Sequence, residues 1–301
     1  MKLYVIGNGF DACHKIPSGY KNFKQYLDDS RVSNDKVVAF IDLLESIFPS
    51  FELWRNFENA LGMLDIDEYI KRYEKLCSST FNDSQSKQNF IDHELVALQQ
   101  DINWYFREWI QSLSNDIKSV QPKLRIDNKA LFLNFNYTGT LETVYGVNGN
   151  RILYIHNPDR DKVINHEFAQ YVIGHSKKPL QYPADIVEEE RYAQEFIDSF
   201  YKDTKLYIKK DKENASFWNA LVNVDEVVVL GHSLNDVDLP YFEEITKNVD
   251  MNKVLWKFST YNEEDEQNAE KMAQGFKIVN YEIGKIENIC GVISTEIPQS
   301  I

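Results

Sequence analysis

The sequence predicts an α/β fold: a parallel sheet with helices on both faces and a large helical insertion after the first strand. Three observations carry this. The apolar run Lys2 to Ile6 stops at a glycine turn, as a buried parallel strand entering a helix does. From about residue 20 to 120 the apolar residues recur at helical spacing, with no alternation of the strand type. The end of the chain alternates strand-like and helix-like runs, the pattern of a parallel sheet with crossover helices.

In order along the chain, Lys2 to Ile6 is the first strand. The helical stretch follows, with Val37, Val38, Ile41, Leu44, Ile47 and Phe48, then Leu53, Trp54, Phe57, Leu61 and Leu64 on apolar faces. A longer helix from about Gln88 to Ile117 carries Phe90, Leu95, Leu98, Ile102, Tyr105, Phe106, Trp109 and Leu113, an aromatic load that reads as core. Strand character returns at Ala130 to Asn134, at Ile152 to His156 and at Tyr171 to Ile173. A second helical segment, about 183–222, contains the charge run Glu188 to Arg191 and the lysines 205, 209, 210 and 212. Both read as solvated faces, the lysines alternatively as a phosphate patch. Val227 to Leu230, Val254 to Phe258 and Phe276 to Tyr281 then read as strands, separated by helices at Pro240 to Lys247 and Glu263 to Gln274. With no repeat or flexible linker in view, residues 1–301 read as one α/β domain with a helical insertion at about 20–125.

Composition narrows the function. Thirty-three basic against 47 acidic residues give a formal charge of −14, which repels nucleic-acid phosphates and anionic membrane surfaces. No stretch approaches the ~18 apolar residues of a membrane span, and Leu3 to Ile6 is too short for a signal-peptide core. Cys13, Cys77 and Cys290 form neither a disulfide framework nor a C-x-x-C pair, so a reducing, cytoplasmic location is expected. Six scattered histidines without an H-E-x-x-H pair predict no metal site.

Open parallel sheets bind ligands beyond the carboxyl ends of their strands. Four polar clusters fall at four such predicted ends. The first, Gly7-Asn8-Gly9-Phe10-Asp11-Ala12, fits the G-x-G-x-x-G/A turn that brings backbone close to a phosphate at a helix N-terminus; together with the sheet it makes the prediction Rossmann-like. The alternative is a tight turn with Asp11 as a helix cap. About twenty residues on, where a dehydrogenase fingerprint carries its acidic residue at a second strand, Asp28 and Asp29 follow a helical stretch, so hydride transfer is disfavoured.

The second cluster is Asn134-Phe135-Asn136-Tyr137-Thr138, whose asparagines can orient a ribose hydroxyl or a water. Alternatively Asn134 or Thr138 caps the next helix. The third is His156-Asn157-Pro158, a histidine placed to act as general base near neutral pH. The fourth, Gly231-His232-Ser233-Leu234-Asn235-Asp236-Val237-Asp238, offers a glycine, a hydroxyl and carboxylates for phosphate and ribose, or else a capped helix start with Asp238 just before Pro240. A related Gly174-His175-Ser176 ranks lower. Ser233 lacks the closing glycine of a nucleophile elbow.

The opening Ile6-Gly7-Asn8-Gly9-Phe10-Asp11, with His14 and Ser18 to Tyr20, resembles the start of the AbiH family of bacterial phage abortive-infection proteins. Trp54-Arg55-Asn56-Phe57-Glu58 is similar to that family's tryptophan and glutamate motif, Phe135-Asn136-Tyr137-Thr138 to its Asn-Tyr-Thr motif, and Gly231 through Asp238 to its late glycine, histidine and aspartate motif. The same order of motifs is similar to sirtuin-like domains of defence proteins that bind or destroy NAD. That second resemblance implies Asn136 as the asparagine orienting water or ribose and His156 as the catalytic histidine. It departs where Asn157 stands in place of a glycine and where Asn8 and Phe10-Asp11 replace small or hydroxyl residues.

The expected function is therefore an anti-phage protein that hydrolyses the nicotinamide-ribose bond of NAD, with NAD as substrate and no metal. His156 and Asn136 are the expected catalytic pair. Gly7, Asn8, Gly9, Phe10, Asp11, Asn134, Tyr137, Gly231, His232, Ser233, Asp236 and Asp238 are expected to hold the nucleotide. The alternative is a sensing or effector module that binds NAD or ADP-ribose without cleaving it. Expected partners are a nucleotide, other copies of the chain or a phage-derived trigger, with neither membrane nor nucleic acid among them.

Overall fold

The computed structural model describes residues 1–29, 34–47, 57–77, 84–157, 171–179, 188–202, 204, 208 and 211–293. In chain order these form β1 (Lys2–Ile6), α1 (Asn8–Cys13), α2 (Tyr20–Asp29), α3 (Asp35–Ile47), α4 (Phe57–Leu61), α5 (Ile66–Cys77), α6 (Ser84–Ser112) and α7 (Ser114–Ser119). Then come β2 (Leu131–Asn134), α8 (Thr140–Tyr145), β3 (Ile152–Tyr154), α9 (Glu188–Asp198), α10 (Asp211–Ala220) and β4 (Glu226–Leu230). The chain continues through α11 (Leu239–Asn248), β5 (Leu255–Ser259), α12 (Glu263–Gly275), β6 (Tyr281–Gly284) and α13 (Ile286–Cys290).

All six strands run parallel, in the order β3-β2-β1-β4-β5-β6. The chain builds outward from β1 to one edge, returns across the sheet and builds outward again from β4. That reversal is the topological switch point of a doubly wound sheet, and it opens the carboxyl ends of β1 and β4 to a ligand. The register sets Ile6 beside Asn134 on one side and beside Leu230 on the other.

The pleat explains why these strands are apolar on both faces. Leu3, Val5, Leu133, Val227 and Val229 pack with Phe217 of α10, Phe242 and Ile245 of α11, and Met272 of α12. Tyr4, Ile6, Phe132, Val228 and Leu230 pack on the opposite face with Phe10 of α1, Leu141 of α8 and Ile286 of α13. The Rossmann-like expectation, with helices on both faces, holds. Each large apolar side chain buried this way contributes about 1.5–3 kcal/mol.

The chain divides into two compact units: Met1–Ser18 with Ser112–Ile164 and Thr204–Ile301, and Gly19–Gln111 with Asn165–Asp203. The first carries the sheet. The second is helical, with an aromatic core in which Phe23 meets Phe106 edge-on at 5.1 Å and Phe106 meets Trp109 at 5.3 Å. Within it Glu58 accepts hydrogen bonds from Tyr20 at 2.9 Å and pairs with the buried Lys202 ammonium at 2.5 Å.

Two expected strands differ. Tyr171 to Ile173 is not a strand: among the described residues the bridge nearby is a single one, between His175 and Tyr201, and Tyr171 packs edge-on against Phe106 at 5.7 Å. Three apolar residues signal burial equally well in a loop that covers a helical core. The last strand is Tyr281–Gly284, not Phe276 to Tyr281. Phe276 and Ile278 instead close α12: their N–H groups donate to Met272 and Ala273 carbonyls, and Lys277 turns left-handed at φ 57° between them. Their side chains pack on the core from a C-cap.

Candidate functional site

The glycine turn after β1 meets the glycine turn after β4. Gly7 N–H donates to Leu230 O at 2.9 Å, and Gly9 N–H donates to Gly231 O at 2.8 Å. A Cβ on Gly9 would lie 2.7 Å from Gly231 Cα, and one on Gly231, whose φ is +62°, would lie 2.3 Å from Phe10 N. Only glycine allows this approach, and it holds the two loops together at the switch point. Gly9's N–H is thereby spent on Gly231. Asn8, the first residue of α1, is exposed but its Nδ2 donates to Ser18 O at 2.9 Å and to Ser18 Oγ at 2.8 Å. Ser233 and Asp236 are exposed on the loop after β4, and Gly231 N–H is held by Ser259 Oγ at 2.8 Å from the end of β5.

Asp11 does not cap α1, whose N-cap is Gly7 without a side-chain bond. Its carboxylate is fully buried and accepts from three hydroxyls: Ser18 at 2.8 Å, Thr138 at 2.6 Å and Thr140 at 2.7 Å. Burial pushes its pKa above the usual carboxylate range, while the hydroxyl donors pull the other way. Thr138 is likewise no cap, since Gly139 precedes α8 without a side-chain bond. Phe10 is a core residue beneath this network. Next to it His14 contacts Phe10 O at 2.7 Å and Tyr145 Oη at 2.6 Å. Tyr145 Oη already accepts from Leu124 N–H, so its single proton goes to His14 Nε2 and the neutral ring donates from Nδ1 to Phe10 O. Burial lowers the His14 pKa, consistent with that neutral form.

A different arrangement forms past β2, β3 and β4. Asn134 Oδ1 accepts from Asn136 N–H at 3.0 Å, an Asx turn that swings the chain over the strand end. Phe135 then sets its ring edge-on to His156 at 5.6 Å and His232 at 4.5 Å, while Tyr137 stacks on His156 at 5.3 Å. Leu234 N–H donates to His232 Nδ1 at 2.9 Å, which puts the ring proton on Nε2, facing Asp238. Asp238 sits at ion-pair distance from both imidazoles, Oδ1 3.8 Å from His156 Nε2 and Oδ2 3.6 Å from His232 Nε2. It occupies the N-cap position of α11 but makes no side-chain cap bond, so its carboxylate serves the histidines.

Beside them are two amides. Asn136 is 4 % exposed, and both side-chain atoms lack a hydrogen-bond partner among the described residues. Asn157 is 3 % exposed; its Nδ2 donates to Tyr137 O at 3.4 Å, which leaves Oδ1 buried without a donor. An unsatisfied buried group costs about 1–3 kcal/mol, so three in adjacent asparagines mark a place where something else completes the bonding.

A family model described as Bacteriophage abortive infection AbiH matches residues 3–260. The chain belongs to the AbiH family. No curated protein and no solved structure matches it. As an AbiH protein it acts in abortive infection against bacteriophage. The AbiH match runs from β1 through β5 and includes every residue of the four clusters.

Of the expected site residues, the structure brings His156, Asn136, Asn134, Tyr137, His232 and Asp238 together past β2, β3 and β4, and sets Gly7, Gly9 and Gly231 between the loops. Sequence reading named Asn157 and Ser18 without giving either a role in the site, and it missed Thr140 and Ser259. For Asn157 the signal was its place directly after His156; for Thr140 it was a second threonine two residues after Thr138. The Gly174-His175-Ser176 cluster belongs to the helical unit, where His175 accepts from Lys177 N–H and donates to Ile197 O at 3.0 Å. Trp54, Arg55, Asn56, Pro158 and the lysines 205, 209 and 210 lie outside the described residues. Among the described residues no three His, Cys, Asp or Glu side chains are placed to hold a metal ion. No helix there is long and apolar enough to cross a membrane.

Proposed function

We propose that this AbiH protein hydrolyses the nicotinamide-ribose bond of NAD, with His156 as base. The observation that carries the reading is the buried set of His156, Asp238 and the unsatisfied Asn136 amide at the carboxyl ends of a doubly wound sheet. In the reaction the C–N bond to ribose breaks and its electron pair leaves with the nicotinamide, whose ring nitrogen loses its positive charge. No acid is needed at the leaving group. Water adds to the resulting oxocarbenium-like carbon and gives its proton to His156, yielding ADP-ribose. Asp238 Oδ1 stands 3.8 Å from His156 Nε2. Asn136 holds the reacting end of the substrate, and the exposed Ser233 hydroxyl on the loop after β4 takes a phosphate.

The test is the NAD content of phage-infected cells expressing the wild-type chain or His156→Ala, with nicotinamide and ADP-ribose followed by mass spectrometry. A fall in NAD with the wild type alone is expected. Equal loss with His156→Ala would remove His156 from the chemistry, and unchanged NAD with calorimetric binding of NAD or ADP-ribose would replace cleavage by sensing.

A further inference from the structure

We propose that Asn136 and Asn157 form a subsite for a group that carries an exocyclic NH2 beside a hydrogen-bond acceptor, and that the group is a carboxamide of the nicotinamide type. The naming of nicotinamide rests on the function proposed above; the subsite rests on geometry alone. Parallel pairing of β2 with β3 continues past Asn134, whose carbonyl accepts from Ile155 N–H at 2.9 Å, and brings Tyr137 O to Asn157 Nδ2. The two asparagines are therefore neighbours across adjacent strand ends. The Asn157 amide is held in one sense, because a flip would set its oxygen against the Tyr137 carbonyl.

The unsatisfied atoms are then one donor, Asn136 Nδ2, and two acceptors, Asn136 Oδ1 and Asn157 Oδ1. Their complement is one acceptor and two N–H donors on a planar group. A primary carboxamide supplies this: its oxygen and one N–H pair with Asn136, and its second N–H reaches Asn157. A carboxylate offers no donor and would leave both asparagine oxygens facing negative charge. The amino edge of adenine has the same donor and acceptor count. The carboxamide is favoured because His156, next to Asn157 in the chain and stacked on Tyr137, adjoins the subsite, and in NAD the scissile bond is on the ring that bears the carboxamide.

Wild-type protein is titrated with nicotinamide against nicotinic acid, and with adenosine against inosine, by ligand-observed NMR. These probes undergo no turnover, so the result is independent of NAD cleavage. Nicotinamide is expected to bind about 10- to 100-fold more tightly than nicotinic acid. That preference should vanish in Asn157→Leu and Asn136→Leu, which replace each amide by an apolar branch with the same number of heavy atoms, and in Asn157→Ala and Asn136→Ala, which remove it without filling the space. A preference for adenosine over inosine, lost in the same variants, would keep the subsite and assign it to adenine. Equal binding within both pairs, or a preference unchanged in the variants, overturns the subsite even where cells lose NAD. Discrimination without NAD loss keeps the subsite and sinks the glycohydrolase.

Discussion

The first side of the sheet's carboxyl end, around Asp11, and the second, around Asn136, carry similar polar residues at similar burial and use them differently. Asp11 is fully enclosed and every oxygen is occupied by a hydroxyl from Ser18, Thr138 or Thr140. Asn136 is equally enclosed and neither of its side-chain atoms has a hydrogen-bond partner among the described residues. A satisfied buried polar network rigidifies a fold, whereas an unsatisfied one weakens it and is retained where a ligand completes it. The glycine turn, which motif reading would make the ligand site, belongs mainly to the first kind. The second kind, past β2, β3 and β4, is where chemistry is best placed.

Mutations can break this comparison. The largest effect is expected for Gly231→Val, which puts a branched side chain at φ +62° and 2.3 Å from Phe10 N; a loss of more than about 3 kcal/mol by urea denaturation is expected. Near wild-type stability would show that the loops do not need this approach. Next, Asp11→Ala strands three hydroxyls in the core and should cost about 2–4 kcal/mol.

Asp11 also has a pH signature. Burial raises its folded pKa above the ordinary carboxylate value of 3.8, so the folded state binds the proton more tightly. Relative to Asp11→Asn, the wild type should therefore lose stability as pH rises from about 3.8 through the folded pKa, and hold a constant difference above it. A flat difference between the two denaturation curves across that range would contradict the raised pKa.

Smaller still, Tyr145→Phe removes the hydroxyl shared by His14 and Leu124 and should cost about 1–2 kcal/mol. The smallest stability change sharpens the comparison most. Asn136→Leu replaces an unsatisfied amide by an apolar group of the same branching and heavy-atom count, so its thermal midpoint should equal or exceed the wild type's while NAD loss in cells disappears. A clear drop in the midpoint would mean that Asn136 is structural after all.

Much of this was legible in the chain. Runs such as Lys2 to Ile6 and Val227 to Leu230 are apolar on both faces, and only a doubly covered parallel strand accommodates that. Residues 171–173 and 276–278 misled because apolar side chains report burial, and burial is shared by strands, C-caps and covering loops. The four clusters were visible as strand-end residues, but their division into a satisfied and an unsatisfied group was not. Asp11 takes its donors from 7, 127 and 129 residues away, and nothing local in the chain announces those pairings.

The sequence by itself determined most element types, though not those at 171–173 and 276–278, the strand-end position of the polar clusters and the membership of the AbiH family, because periodicity, turn residues and ordered motifs are properties of neighbours in the chain. Tertiary structure alone decided that β4 lies beside β1, that Gly231 must be glycine because Phe10 approaches it, and that the Asp238 carboxylate faces two histidines and makes no cap bond at the N-terminus of α11. It alone decided which buried polar atoms find partners. Hydrogen-bond satisfaction depends on distance and direction between atoms that are remote in sequence, and those are defined only once the sheet has closed.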